Sequence, residues 1–317
     1  MKGGSGSKRS HALPSDATLH GLVTAAFGRH YEVSLDGERA PGAATLQCDP
    51  RGKKSVYACG DHVRVARSSA DQGVIVGLEP RRNLLWRSDA FREKLIASNL
   101  TQVVVVVATE PSFSDLLVSR CITAAESERL KTLIVLNKAD LEERLTVARE
   151  QLAPFARLGY HVVELSALHG AAELRRHLEG ERSIFVGQSG MGKSTLTNAL
   201  IPEAQAATRE ISEALDSGKH TTTFARLYRI DGGWLVDSPG MQAFGLAHLD
   251  PGELAHHFIE FRAHLGHCRF RDCRHDNEPG CALRTALESG AIDARRFEHY
   301  HLIRDEIEQA KRQSRGW

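Results

Sequence analysis

The sequence predicts three folded parts in one chain: a small β-barrel of OB-fold type, an α/β domain on a parallel, doubly wound sheet, and a mainly α C-terminal module held by metal ligands. Three observations predict this. Short runs rich in Val, Ile and Thr fill residues 19–80 between Gly, Asp and Pro turns. From residue 102 to residue 200, strand-like and helix-like segments alternate, the pattern of parallel βαβ units. Three of the six cysteines fall with a histidine between Cys268 and Cys281.

Composition bounds this organisation. The chain has 317 residues, 41% of them hydrophobic and 26% charged, which describes an ordinary protein of several domains. The longest apolar run, Val103–Ala108, is strand-sized and far short of the roughly 20 residues that span a bilayer. Lys2, Lys8 and Arg9 near the start are not followed by the apolar segment of a secretory signal. A cytoplasmic monomer without membrane association is expected, and six cysteines in so long a chain do not make a disulfide scaffold. The net charge of +1 is uneven: residues 1–88 hold 13 Lys and Arg against 8 Asp and Glu, the remainder 28 against 32. The basic end is therefore the candidate nucleic-acid surface.

Taken in order, residues 1–17 are Gly, Ser and basic residues and read as a mobile tail. Residues 18–88 carry five strand signals, GLVTAAFG, HYEVSL, ATLQC, DHVRVARS and GVIVGLEP, enough for a small closed barrel. An OB-fold suits them, with Arg29, Arg51, Lys53, Lys54, Arg64, Arg67, Arg81 and Arg82 as candidate RNA-facing cations; an SH3-like barrel with solvated charges is the alternative. Cys48 and Cys59 read as small buried apolar residues. Asn83–Asn99 reads as a basic, polar connection into the α/β domain, residues 89–248.

That domain is organised around RSIFVGQSGMGKSTLTNAL, Arg182–Leu200: a short strand, a glycine-rich turn and a helix. In such a phosphate-binding loop Gly187, Gln188, Ser189, Gly190, Met191 and Gly192 aim backbone N–H groups at one point, and a helix N-terminus supports them. Lys193 would reach the β- and γ-phosphates, Ser194 would ligate Mg²⁺, and Thr195 would lie near the α-phosphate. LIVLNKAD then selects the base. Asp140 can accept from both N1–H and the 2-amino group of guanine, which adenine cannot match. Asn137 would brace neighbouring loops, and the stem of Lys138 would cover the base. In HVVELSAL a backbone N–H at Ser166 or Ala167 could donate to guanine O6. WLVDSPG supplies Asp237 for Mg²⁺ and Gly240 for the γ-phosphate, and Thr222 in KHTTT would ligate Mg²⁺ when GTP is bound.

The order of these motifs is informative. Ras-like domains run phosphate loop, switch threonine, DxxG, NKxD and SA, whereas here NKAD and SAL precede the phosphate loop, KHTTT and DSPG. The domain is circularly permuted. With this order, nearly the whole chain resembles the ribosome small subunit-dependent GTPase A family, which joins an OB-fold, a permuted P-loop GTPase domain and a zinc-binding C-terminal domain. The resemblance implies a GTPase that binds the small ribosomal subunit and its rRNA late in maturation, is stimulated by it, and leaves on hydrolysis to GDP. A GTP-gated switch acting on another RNA is the rival reading.

Residues 249–317 read as helical from Asp250 onward, then as loops through Cys268, Cys273, His275 and Cys281. Three thiolates and one imidazole make a closed, structural site for one Zn²⁺, and these positions match the pattern of the family that the chain resembles. His267 is an alternative ligand. Arg269, Arg271 and Arg274 stand around this loop and could meet phosphate. A last helix, about 293–313, puts Phe297, Tyr300, Ile303 and Ile307 on one face, for packing on the module or for a partner. For catalysis, Met241 follows Gly240 where Ras-like enzymes place a water-orienting Gln, and Gln242 comes one position late. His220, two residues before Thr222, is the candidate in its place, and the resemblance points to the same histidine.

Overall fold

A computed structural model describes residues 18–35, 45–52, 56–89, 92–201, 225–237 and 246–315. Five strands, β1 (Leu19–Phe27), β2 (His30–Leu35), β3 (Thr45–Pro50), β4 (His62–Arg67) and β5 (Gln72–Leu78), make the N-terminal barrel. Their period-2 alternation sends Val23, Tyr31, Val33, Leu46, Val63, Val65 and Ile75 into a core of their own, together with Cys48. The sheet runs β1-β2-β3-β5-β4 and closes by β4 pairing back to β1, with β3 and β5 parallel. This is the OB-fold path, not that of the SH3-like alternative.

The stretch Asn83–Asn99 is not a loose connection. It forms a hairpin of β6 (Leu84–Asp89) and β7 (Arg92–Ser98). Leu85, Ile96 and Ala97 are buried in the main core, an apolar half that the charged residues of the stretch conceal in the sequence. Cys59, at the barrel's edge, bridges to Ala97 and is fully buried in that second core.

The α/β domain follows as β8 (Gln102–Ala108), α1 (Asp115–Ser127), β9 (Lys131–Asn137), α2 (Glu142–Arg157), β10 (His161–Glu164), α3 (Ala172–Leu178), β11 (Arg182–Val186), α4 (Lys193–Leu200), β12 (Ala225–Ile230) and β13 (Gly233–Asp237). The strands lie in the order β10-β9-β8-β11-β13-β12, parallel except for β12. Every residue of β8 is buried, as expected of a parallel strand covered on both faces. Strand β12, not singled out in the sequence, carries the sheet into the barrel: Ala25 and Ala26 of β1 pair with Arg226 and Ala225. A register shift between Val23 and Ala25 separates the part of β1 that closes the barrel from the part that meets β12.

A second joint is polar. Asp61 is fully buried and accepts from Arg81 through both oxygens (Nε 2.7 Å, Nη2 2.6 Å), from Ser98 Oγ (2.5 Å) and from the Ala58 N–H (2.7 Å). Arg81 thus belongs to the frame and not to an RNA face. Arg64 pairs with Glu79, and Arg67 donates to Ser69 O and Ala70 O of its own turn.

Residues after Asp250, expected to be helical, form two 3₁₀ turns, Leu254–His257 and Ile259–Phe261. Phe258 takes extended backbone angles between them, and Leu254, Phe258 and Phe261 are all fully buried. Helices α5 (Ala282–Glu288) and α6 (Ala294–Arg315) complete the module. The apolar face of α6 packs inward: Tyr300 meets Phe258 and Phe261 edge-on at 5.5 and 5.2 Å. An adjacent face meets α1. There Arg296, 1% exposed, pairs with Glu260 at 2.7 Å and donates to Ser119 Oγ at 2.8 Å. The same Ser119 Oγ lies 2.8 Å from His299 Nδ1, so one hydroxyl joins the guanidinium and the imidazole.

The Asp61 joint yields a first expectation. Asp61→Ala leaves the guanidinium of Arg81, a hydroxyl and an N–H without their acceptor, and should cost about 3 kcal/mol of stability in denaturant unfolding. Removal of the exposed Arg64–Glu79 pair by Arg64→Ala should cost less than about 1 kcal/mol. Equal costs for the two variants would deny Asp61 its role.

Candidate nucleotide site and metal cluster

The nucleotide motifs meet at the C-terminal ends of adjacent parallel strands, where open α/β sheets bind ligands. The loop after β11 has Gly187, Gly190 and Gly192 at φ 148°, 83° and 87°. At Gly187 a Cβ would lie 2.1 Å from Val106 O, and at Gly192 it would lie 2.2 Å from Asn137 Nδ2. Both glycines are therefore fixed by what packs against them as well as by backbone angle. Gly192 stands at the start of α4, and Ser194 and Thr195 are exposed in its first turn. Lys193 Nζ donates to Gly187 O (2.5 Å) and Gln188 O (2.7 Å); burial pulls its pKa below the usual lysine value, while the charge of Asp237 opposes this. Ser189 and Gly190 are exposed, and Met191 is buried beneath the loop.

Asn137, 1% exposed at the end of β9, ties three loops together. Its Nδ2 donates to Met191 O at 2.9 Å, and its Oδ1 accepts from the Ala167 N–H at 2.9 Å. That N–H, one of the two candidates for guanine O6, is thus held by Asn137. Lys138 has φ 59° and donates to Glu110 O at 2.7 Å. Asp140 is exposed beyond it. The Asp140 carboxyl is held below its usual range, first by the neighbouring Ser166 hydroxyl and then by the charges of His169 and Lys138. The shift favours the carboxylate, the form that accepts hydrogen bonds and donates none.

Asp237 ends β13, next to β11, on the same side of the sheet as the phosphate loop. His220, Thr222 and Gly240 lie outside the described residues. One contribution escaped the sequence reading: the loop between β8 and α1. Gln188 Oε1 accepts from the Ser114 N–H at 2.9 Å, Ser114 caps α1, and Pro111 lies 3.3 Å from where a Cβ of residue 190 would stand. The Pro and Ser of EPSFS, directly after a strand, were the available signal.

In the C-terminal module the candidate ligand atoms of Cys268, Cys273, His275 and Cys281 all lie within 4.8 Å of one another. His275 Nδ1 is 3.6 Å from Cys268 Sγ and 3.5 Å from Cys281 Sγ, close to the roughly 3.5 Å edge of a tetrahedron with bonds of about 2.3 and 2.0 Å. His275 has φ 63°, an unusual conformation for a residue other than glycine, and burial lowers its pKa toward the neutral form that ligates metals. The Ala282 N–H donates to Cys268 Sγ at 3.4 Å. The cluster can hold a metal ion. His267 is not part of it.

Comparison with known proteins places these features in context. Residues 78–247 match the family described as RsgA GTPase. The chain is 55% identical over 298 residues to the small ribosomal subunit biogenesis GTPase RsgA of Burkholderia pseudomallei (strain K96243), covering 92% of this chain and 93% of that protein. It is 53% identical over 302 residues to the protein of the same name from Ralstonia pickettii (strain 12J), covering 92% and 94%. Among solved structures, YjeQ from Thermotoga maritima superimposes with a TM-score of 0.71 at 30% identity, covering 92% of this chain and 99% of that one. YloQ, described as a circularly permuted GTPase, gives 0.69 at 26% identity, covering 95% and 98%.

Two outcomes follow from this geometry. Asn137→Ala leaves Met191 O and the Ala167 N–H unsatisfied, a penalty of roughly 1–3 kcal/mol. GTP affinity in equilibrium binding should fall by about tenfold or more, although the side chain is built into the frame and not the pocket. Cys273→Ala should lower the bound metal measured by elemental analysis and open the module to proteolysis; full metal content would remove Cys273 from the ligand set.

Proposed function

Because this chain belongs to the RsgA GTPase family, we propose that it is the GTP hydrolase that docks on the maturing small ribosomal subunit, is stimulated by it, and departs when GTP becomes GDP. The observation that carries the reading is Asn137, whose amide joins the loop after the guanine-reading strand, the SAL turn and the phosphate loop into one site. In that site Asp140 reads the base, Lys138 covers it, and Ser166 and Ala167 line its turn. Residues Gly187–Thr195 cradle the phosphates, and Lys193 faces the β- and γ-phosphates. Ser194, Thr222 and Asp237 would hold Mg²⁺, which neutralises charge developing on the phosphates. Gly240 would contact the γ-phosphate, and His220 would orient the attacking water.

Cys268, Cys273, His275 and Cys281 suit Zn²⁺, since three thiolates and an imidazole in tetrahedral spacing leave no open position for chemistry. The ion would supply folding energy to the module. The working partners are GTP and the small subunit with its rRNA, met as a cytoplasmic monomer. The domains are taken as 1–17, 18–88, 89–248 and 249–317.

GTP turnover measured with and without purified small subunits tests the function: strong, specific stimulation is expected, and equal stimulation by any RNA would assign the switch to another target. Asp140→Asn should weaken GTP binding severely and relax selection against other purine nucleotides, because an amide cannot accept from both guanine donors. Unchanged GTP affinity would overturn the base-reading assignment. His220→Ala should bind GTP and the subunit normally yet lose most of the stimulated turnover; stimulation at the unmutated level would pass the water to another group.

A further inference from the structure

Between the metal ligands Cys268 and Cys273 the chain makes a four-residue loop, Arg269-Phe270-Arg271-Asp272, centred on an aromatic ring that the core does not explain. Phe270 is 42% exposed, whereas Phe258, Phe261 and Phe297 of the same module are buried. The loop is held firmly. Metal ligands bound both ends, the Arg269 N–H donates to Gly280 O at 3.0 Å, and the Cys273 N–H donates to Phe270 O at 3.4 Å. At Gly280, φ 75°, a Cβ would lie 2.9 Å from Arg269 Cβ, so the two strands of the loop pass as closely as a glycine permits.

The surroundings of the ring are basic. Residues 269–274 hold three arginines against one aspartate. Arg274 is committed to Glu308 at 2.5 Å, and Arg304 donates to its carbonyl, so it supports the module. Arg269 and Arg271 are exposed and have no ion pair among the described residues. The guanidinium of Arg269 lies 5.5 Å from the centroid of the Phe270 ring. A partner for this tip must present a flat apolar group with negative charge beside it. An unpaired nucleotide does so, offering a base with phosphates on either side, while a base inside an A-form helix has its faces already stacked.

We propose that Phe270 is a stacking platform for an unpaired RNA base, with Arg269 and Arg271 on the flanking phosphates. The inference rests on the ribosomal reading above and names which part of the C-terminal module meets RNA and in what form. The affinity of the full-length protein for purified small subunits, at one fixed salt concentration, should fall roughly 5- to 150-fold in Phe270→Ala, the range of one base–aromatic stack. Phe270→Trp should bind at least as well as the unmutated protein, and Phe270→Leu should be as weak as Phe270→Ala. Metal content and melting temperature should be unchanged in all three, since the ring is outside the core.

Full affinity in Phe270→Leu would mean that the residue fills an apolar protein pocket and would overturn the proposal, as would unaltered binding by Phe270→Ala. A photo-crosslinking side chain at position 270 should attach to rRNA; attachment to a ribosomal protein would overturn the proposal as well. If the unmutated protein failed to bind small subunits, the ribosomal reading itself would fall and take this inference with it. Normal binding by the unmutated chain with no effect at Phe270 would sink the stacking contact alone.

Discussion

One buried amide organises the nucleotide site. Asn137 stands where β9 ends, donates to a carbonyl 54 residues away and accepts from an N–H 30 residues away. The amide carries on where the backbone pairing of β9 with Leu165 stops, beyond the bonds from the Leu165 N–H to Leu136 O and from the Ala139 N–H to Leu165 O. Its fit constrains the neighbours: residue 192 must lack a Cβ, and residue 187 must lack one because Val106 O of β8 occupies the space. The spacing of glycines in the phosphate loop is thus set partly by β8 and β9, strands that a permuted order places earlier in the chain.

Permutation also decides what is attached to the moving parts of such a domain. The segment from KHTTT to DSPG contains β12 and β13, and β12 pairs with β1 of the barrel. Arg226 on β12 reaches Glu32 at 2.9 Å and lies over the ring of Phe27. This fastens the barrel to the edge strand through backbone pairing and charge, while Asp61 fastens it to β7 through Ser98.

The C-terminal module is fastened differently. Its seam with α1 and α2 is laced with ion pairs, Arg262–Glu126, Arg157–Asp293, Arg120–Glu306 and Arg295–Asp115, around the buried Arg296, Ser119 and His299. Arg296 lies within 5.4 Å of the ring of Phe155 on α2 and 4.5 Å of that of Phe258. The charges surround an apolar core that runs on into the module, since Val118, Ile122 and Phe155 share one buried cluster with Leu254, Phe258 and Phe297.

How much of this was legible in the sequence depends on distance along the chain. The glycine-rich loop, NKAD, SAL and the Cys and His spacing are local patterns, each demanded by backbone angle, hydrogen-bond count or ligand number, so residues named their own chemistry. The barrel strands declared themselves by alternation, and β8 by its unbroken apolar run. The hairpin of Asn83–Asn99 did not, since its apolar residues face a core that exists only once β8 and Cys59 are beside it. The 3₁₀ turns after Asp250 escaped because burial of Phe258 and Phe261 outweighed a helical pattern. Arg81 looked like any surface cation until Asp61, 20 residues earlier, was folded beneath it. The sequence by itself determined the chemistry of the sites and their permuted order; the tertiary structure alone decided which charges are buried, which ring is left exposed, and which strand joins barrel to sheet. Those depend on contacts between residues far apart in the chain, for which no local pattern exists.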